Sequence, residues 1–382
     1  MFFNILGLSL ARLFPPEISS KLSLKSLEIL YRIGLHGALS TDLKEVKSIQ
    51  KMGLTFPNRI GIAGGLDKNA EYFHILNALG FGFVEVGTFT LKPQEGNPQP
   101  RVHRYMKEGN IVNSLGFNNV GVYEGIKNIE KNKPSFNGIL GISIGKSKET
   151  KIEDAFKDYL HLIDYVYQHA DYIAVNISSP NTENLRNLSL SDYFSSLIEK
   201  VMNKREQLAK GADTGKPIVL KISPDESEEN FEKILVKSME TNVDGLIINN
   251  TSINHFKGVK GGISGNYIRN LSEKNLKFAR SICGENLTLI SSGGLMTKVD
   301  IENRFKLSAD LIQLYTGFIF RGTDLLKESL GHEEMAIDLY KNLLDCAENK
   351  SLYVEEYARE MIKQEEMHSI EIKKRLLINR YS

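Results

Sequence analysis

From residue 59 onward the chain repeats one pattern: a short apolar run rich in Val, Ile and Leu, a closing Gly, Ser or Asn, then a polar stretch. The runs are RIGIAGG (59–65), FVEVGT (83–88), GILGISIG (138–145), YIAVNIS (172–178), PIVLKIS (217–223), GLIINNT (245–251), LTLISSGG (287–294) and LIQLYTG (311–317). Runs this short and continuously apolar suit parallel strands, because helices cover both faces of such a sheet and neither face alternates with solvent. Intervening segments such as IEDAFKDYLHLIDYVYQH (152–169) carry helical apolar spacing. Eight such units predict a (β/α)8 barrel, a fold of roughly 250 residues. A doubly wound open sheet would want a G-x-G-x-x-G turn after its first strand, which GIAGGLDKN does not supply.

At 382 residues the chain exceeds the barrel alone, so attachments are expected at residues 1–40 and 331–382, around a barrel at 41–330. In residues 1–40, Phe2, Ile5, Leu6, Leu10 and Leu13, then Leu24, Leu27, Leu30 and Tyr31, fall at helical intervals with Arg12, Lys21, Lys25 and Arg32 among them. The spacing predicts two short amphipathic helices broken at Pro15-Pro16, either a cap on the barrel or a pair lying in a membrane interface. The apolar stretch before Arg12 is too short to span a bilayer and lacks the basic flank and cleavage site of a secretory signal.

Charge is balanced, 48 Lys+Arg against 47 Asp+Glu, so no broad field recruits nucleic acid and any charged ligand must be held by local groups. The two cysteines, Cys283 and Cys346, are far apart, which excludes a disulfide framework or zinc ribbon and fits a reducing compartment.

In such a barrel the active site lies at the carboxyl ends of the strands, so the residues closing each run are the candidates. They are polar and glycine-rich: Gly64, Gly65 and Lys68; Thr88; Ser143; Asn176 and Ser179; Lys221; Asn249, Asn250 and Thr251; SGG (292–294); YTG (315–317). Glycine turns after the last two strands commonly take a phosphate, since bare backbone N–H groups can approach its oxygens. Lys221 closes a buried strand and needs an anionic partner. That partner is either a loop carboxylate or a ligand that gains charge in turnover, such as a flavin.

The motifs GIAGGLDKNAE, EVGTFTLKPQEGNPQPR, NSLGFNN, GISIGK, NISSPNTENLR, KISPD, NNTS, GGISG and the closing SSGGL and YTGFIFRG together resemble dihydroorotate dehydrogenases, in consistent order over roughly residues 1–330. The N-terminal extension and a serine-bearing fourth-strand loop resemble class 2, the membrane-associated, quinone-dependent branch. The resemblance implies FMN, oxidation of (S)-dihydroorotate to orotate in pyrimidine synthesis, electron transfer to a membrane quinone, and a peripheral place on the cytoplasmic face of the cell membrane. It implies FMN contacts at Gly64, Gly65, Leu66, Asp67, Lys68, Thr88, Ser143, Asn176, Lys221, Asn249, Gly265, Gly294, Tyr315 and Thr316. Substrate contacts would be Lys68, Asn113, Ser114, Leu115, Gly116, Phe117, Asn176, Asn181, Asn250 and Thr251, with Arg101 and Tyr315 lining the quinone path. No metal is implied.

The resemblance also implies that Ser179 takes the C5 proton while a hydride leaves C6 for flavin N5, with Thr182 and Phe117 flanking the proton exit. Serine is a poor base, so the site must exclude water and relay the proton onward. Ser178 faces the other way in an alternating strand and is expected to satisfy nearby backbone. Pro180 restricts Ser179. Three positions depart from the family pattern: Ser143 stands where many members have Asn, Asn249 where many have Thr, and the region of Ser20 lacks a frequent His. Rival readings are a soluble dihydroorotate dehydrogenase using fumarate or NAD, and a non-catalytic phosphate-ligand barrel.

The tail after Leu330 is not explained by the resemblance. Free of Gly and Pro over residues 332–382 and highly charged there, it predicts helix. Its Glu365-x-x-His368 weakly resembles a ferritin-like helix pair, and a structural helix or a self-associating hairpin is the plainer reading.

Overall fold

The computed structural model describes residues 7–8, 11–41, 43, 46–178, 192–209, 215–253 and 256–331. Helix α1 (Pro16–Arg32) and a 3-10 turn (Leu35–Ala38) precede an antiparallel hairpin, β1 (Ile49–Lys51) and β2 (Leu54–Phe56). Next come β3 (Ile60–Ile62), α2 (Phe73–Ala78), β4 (Phe83–Phe89), β5 (Val102–Tyr105), β6 (Asn110–Asn113) and α3 (Gly121–Asn132). The middle of the chain carries β7 (Ile139–Ile144), α4 (Ala155–Val166), β8 (Tyr172–Asn176), α5 (Asp192–Ala209), β9 (Ile218–Ile222) and α6 (Glu228–Glu240). It ends with β10 (Gly245–Ile248), β11 (Gly262–Gly265), α7 (Arg269–Cys283), β12 (Thr288–Ser292), α8 (Lys298–Lys306), β13 (Leu311–Leu314), α9 (Thr316–Arg321) and α10 (Thr323–Ser329).

All eight apolar runs become strands of one closed parallel barrel, in the order β3-β4-β7-β8-β9-β10-β12-β13, with β13 pairing back to β3 through Ile312 and Ile60. Side chains on the outer face of these strands, such as Ile62, Val84, Ile142, Ile173, Leu220, Leu246 and Leu289, join those of the surrounding helices in one buried core.

Two additions position the site. The β1–β2 hairpin closes the amino-terminal end of the barrel, where Phe56 is fully buried edge-on against Phe83, ring centroids 5.4 Å apart. Phe56 and Phe83 form an apolar interior layer with Tyr172, Ala174, Val219, Ile247, Ile290 and Leu311. The strands β5, β6 and β11 build a small antiparallel sheet, pairing residues 102–113 with residues 262–265.

Helix α1 begins at the Pro15-Pro16 pair, Pro16 taking the first turn where its missing N–H is no loss. Leu24, Leu27 and Leu30 pack inward, while Leu13, Phe14, Ile18, Leu22, Ile29, Ile33 and Leu35 on and beside the helix stay exposed, Leu13 to 77%. Arg101 pairs with Glu17 at 3.0 Å and Arg104 donates to Ser19 Oγ at 3.4 Å, fastening α1 to the small sheet. No helix of the described residues is long and apolar enough to cross a membrane.

Candidate active site

A cleft of about 970 Å³, open solvent included, lies at the carboxyl ends of the barrel strands. Among the expected residues, Gly64, Gly65, Lys68, Thr88, Asn113, Leu115, Gly116, Phe117, Asn176, Lys221, Asn249, Asn250, Thr251, Gly294, Tyr315 and Thr316 line it. On the β12 side, Gly293 and Gly294 have φ of 94° and 76°, and a Cβ on Gly294 would meet Arg269 Cα at 2.4 Å, so only glycine leaves this turn's backbone bare. Arg304, fully buried, holds the turn from behind by donating to Gly293 O at 3.1 Å and Arg269 O at 2.9 Å.

One wall is a chain of amides and hydroxyls. Ser143 Oγ and Thr88 Oγ1 share a hydrogen bond of 2.9 Å, Asn176 Nδ2 donates to Thr88 Oγ1 at 3.2 Å, and Asn250 Nδ2 donates to Ser178 Oγ at 3.0 Å. Ser178 is buried and its N–H donates to Asn176 Oδ1 at 3.3 Å. It therefore braces the amides of Asn176 and Asn250. Asn249 Nδ2 is buried without a partner.

Beneath the cleft lies a polar layer that the sequence reading missed. Glu85 Oε1 is 3.4 Å from Lys221 Nζ, and Glu85 Oε2 accepts from Gln313 Nε2 at 2.7 Å and Tyr172 OH at 3.2 Å. The partner of Lys221 is thus a strand carboxylate, not a loop one, and the ammonium also lines the cleft. Gln313 Oε1, also at the cleft, has no partner. The signal was present: Glu85 and Gln313 are polar residues inside runs otherwise apolar.

A second cavity of about 1900 Å³, open solvent included, separates α1 from the barrel. Its wall includes Leu24, Leu27 and Leu30, the serines Ser19, Ser20, Ser23 and Ser26, and Phe318 and Ile319. Lys68, Asn113, Leu115, Asn118 and Tyr315 line both cavities. Burial between them pushes the Lys68 ammonium down to about 8 and the Tyr315 phenol up to about 12.

Several expected residues stand outside the cleft wall. Leu66 faces the second cavity. Asp67 is buried and accepts the N–H groups of Glu71 and Tyr72 at 2.9 and 2.8 Å, and burial raises its carboxyl to about 6. Ser143 stands behind Thr88. The Ser114 N–H donates to Arg101 O at 2.8 Å, so this residue ties the loop to its neighbour. Gly265 backs onto Gly109, whose carbonyl a Cβ would strike at 2.1 Å, and Ser264 supplies the wall instead. Arg101 is turned toward Glu17, Glu95 O and Asn97 O and lines neither cavity. Ser179, Pro180, Asn181 and Thr182, with Glu365 and His368, lie outside the described residues. No cluster of His, Cys, Asp and Glu fit for a metal ion occurs among the described residues.

The fold and cleft define an α/β-barrel enzyme with its polar site at the carboxyl ends of the strands and an apolar cavity alongside. A family model described as dihydroorotate dehydrogenase matches residues 47–332. The chain is 43% identical over 314 residues to a dihydroorotate dehydrogenase (quinone) of Neisseria meningitidis serogroup A, covering 80% of this chain and 92% of that one. It is 38% identical to the enzyme of that name from a Marinomonas species, covering 86% and 95%. The crystal structure of DHODH from Eimeria tenella in complex with ferulenol superposes with a TM-score of 0.72 at 32% identity, covering 83% of this chain and 91% of that one. The chain belongs to the dihydroorotate dehydrogenase family.

Proposed function

We propose that this chain oxidises (S)-dihydroorotate to orotate in pyrimidine synthesis, with FMN in the cleft and a membrane quinone as final acceptor. The observation that carries this reading is the pair of cavities meeting at Tyr315 and Lys68, one carrying the amides of Asn113, Asn176, Asn249 and Asn250, the other the leucines of α1 with Phe318 and Ile319. Two substrates of opposite polarity can reach one redox centre from two sides. A soluble enzyme using fumarate or NAD has no use for the second cavity, and the quinone-dependent relatives favour the same branch.

The cleft residues fit FMN. The bare Gly293–Gly294 turn suits a phosphate, and the unpartnered Asn249 Nδ2 and Gln313 Oε1 offer a donor and an acceptor to a flat heterocycle. When bound, FMN supplies the acceptor for the hydride lost from C6. Gly64, Gly65, Thr88, Lys221, Asn249, Gly294 and Thr316 would hold it, with Ser143 positioning Thr88.

Lys68 would take the substrate carboxylate, while Asn113, Asn176, Asn250 and Thr251 read its carbonyl and N–H groups. Braced by Ser178, the Asn176 and Asn250 amides enter the reaction already oriented, which lowers the ordering cost of binding. Ser179 takes the C5 proton and Thr182 and Phe117 flank its exit, Phe117 shielding the site from water. The exposed apolar residues of α1 support peripheral attachment to a membrane, and we place that attachment on the cytoplasmic face.

Acceptor-dependent reoxidation tests the whole reading. Purified protein should be yellow, bleach anaerobically on adding dihydroorotate, and regain colour with a quinone but not with fumarate or NAD. Failure to bleach, or reoxidation by fumarate or NAD, would reject it.

A further inference from the structure

We propose that Glu85 is a positioning residue of the redox site, a fixed negative charge that orients Lys221 and Gln313 and sets how readily bound flavin is reduced. The inference rests on the FMN reading above. Glu85 is fully buried on β4, and its carboxylate gathers side chains from three other strands: Lys221 of β9, Gln313 of β13 and Tyr172 of β8. A carboxylate inside a barrel is costly unless each oxygen is paired, and here both are.

The pairing dictates what the cleft floor presents. A carboxylate only accepts, so the Gln313 amide must turn its NH2 group toward Glu85, leaving Oε1 on the other side of the amide, buried and without a partner, in a residue that lines the cleft. Lys221, paired with the other oxygen of the same carboxylate, also lines the cleft. An acceptor next to a cation matches the edge of a ring that carries an N–H beside an oxygen gaining negative charge. Glu85 lies directly under the lining, since a Cβ on Gly64 would sit 2.5 Å from its Oε1. At that depth its charge acts through a poorly screening medium, offsetting part of the pull that Lys221 exerts on electrons.

Removing the charge while keeping the shape isolates the effect. In Glu85→Gln we expect FMN to be retained and the two-electron reduction equilibrium, read by anaerobic dye-equilibrated titration, to move about tenfold toward the reduced form, a rise of about 30 mV. Glu85→Asp should return most of the shift. A yellow Glu85→Gln protein with an unchanged midpoint potential would overturn the proposal. If that variant does not load FMN, Tyr172→Phe carries the test. It keeps the charge but removes one donor, so Lys221 feels more of the carboxylate and the equilibrium should move the opposite way; no movement overturns the proposal. Wild-type protein that carries no FMN would instead reject the cofactor reading, whatever Glu85 does.

Discussion

The carboxylate of Glu85 fills the space in which a side chain on Gly64 would stand: an ideal Cβ there lies 2.5 Å from Glu85 Oε1. Gly64→Ala must displace either the buried carboxylate or the turn after β3. Overpacking of this kind costs about 1–3 kcal/mol. We expect lower FMN content on purification and a melting temperature reduced by several degrees. Full FMN occupancy with unchanged melting would contradict the packing described.

Lys68 supplies a pH dependence. Burial lowers its ammonium to about 8, with Glu17 nearby opposing the shift. The group is charged below that pH and neutral above it, so affinity for an anionic substrate is present at pH 7 and lost as pH rises through 8. Orotate affinity measured by calorimetry should weaken about tenfold between pH 7 and 9, the size of a one-unit protonation change. A flat profile in the wild type, or the same slope in Lys68→Met, would remove Lys68 from this role.

For the proposed base, Ser179→Ala should keep its FMN yet lose most of its dihydroorotate-driven bleaching, by about 100-fold or more given the usual worth of a positioned base. Stopped flow reads this directly. Near wild-type bleaching would reassign the proton to another group.

The two half-reactions should separate at Ser23, which lines the second cavity alone. Ser23→Phe narrows that cavity without touching the cleft. Bleaching by dihydroorotate should persist while the apparent KM for quinone rises several-fold. Equal loss in both would show that the cavity is not the acceptor's route.

Stability at the barrel floor is testable apart from chemistry. Phe56 is fully buried against Phe83. Phe56→Ala should cost about 3–5 kcal/mol in urea unfolding, the range for buried aromatic truncation. The midpoint would fall with FMN affinity preserved, and a change under 1 kcal/mol would mean that the hairpin does not seal the barrel.

The barrel was legible because its strands are buried on both faces, so most read as an apolar run ending in a polar cluster, as in YIAVNIS and GLIINNT. Ranking the residues that close each run found most of the cleft. Glu85 and Gln313 escaped because they sit inside the runs, pointing into the barrel rather than over its rim. The small sheet was not legible either, since Val102 pairs with Asn113 nearby but Gly262 reaches Asn113 from far along the chain. Resemblance transferred Arg101 as a quinone neighbour, but no motif encodes the direction of a guanidinium, and Glu17 on α1 takes it.

The hairpin that closes the barrel floor also isolates what lies above it. With Phe56 and Phe83 packed at one end, the layer of Glu85, Tyr172, Gln313 and Lys221 borders the cleft through Lys221 and Gln313. A planar ligand seated on those two residues would complete the enclosure of a layer already capped from below. The charges there would then act on it through protein rather than through water.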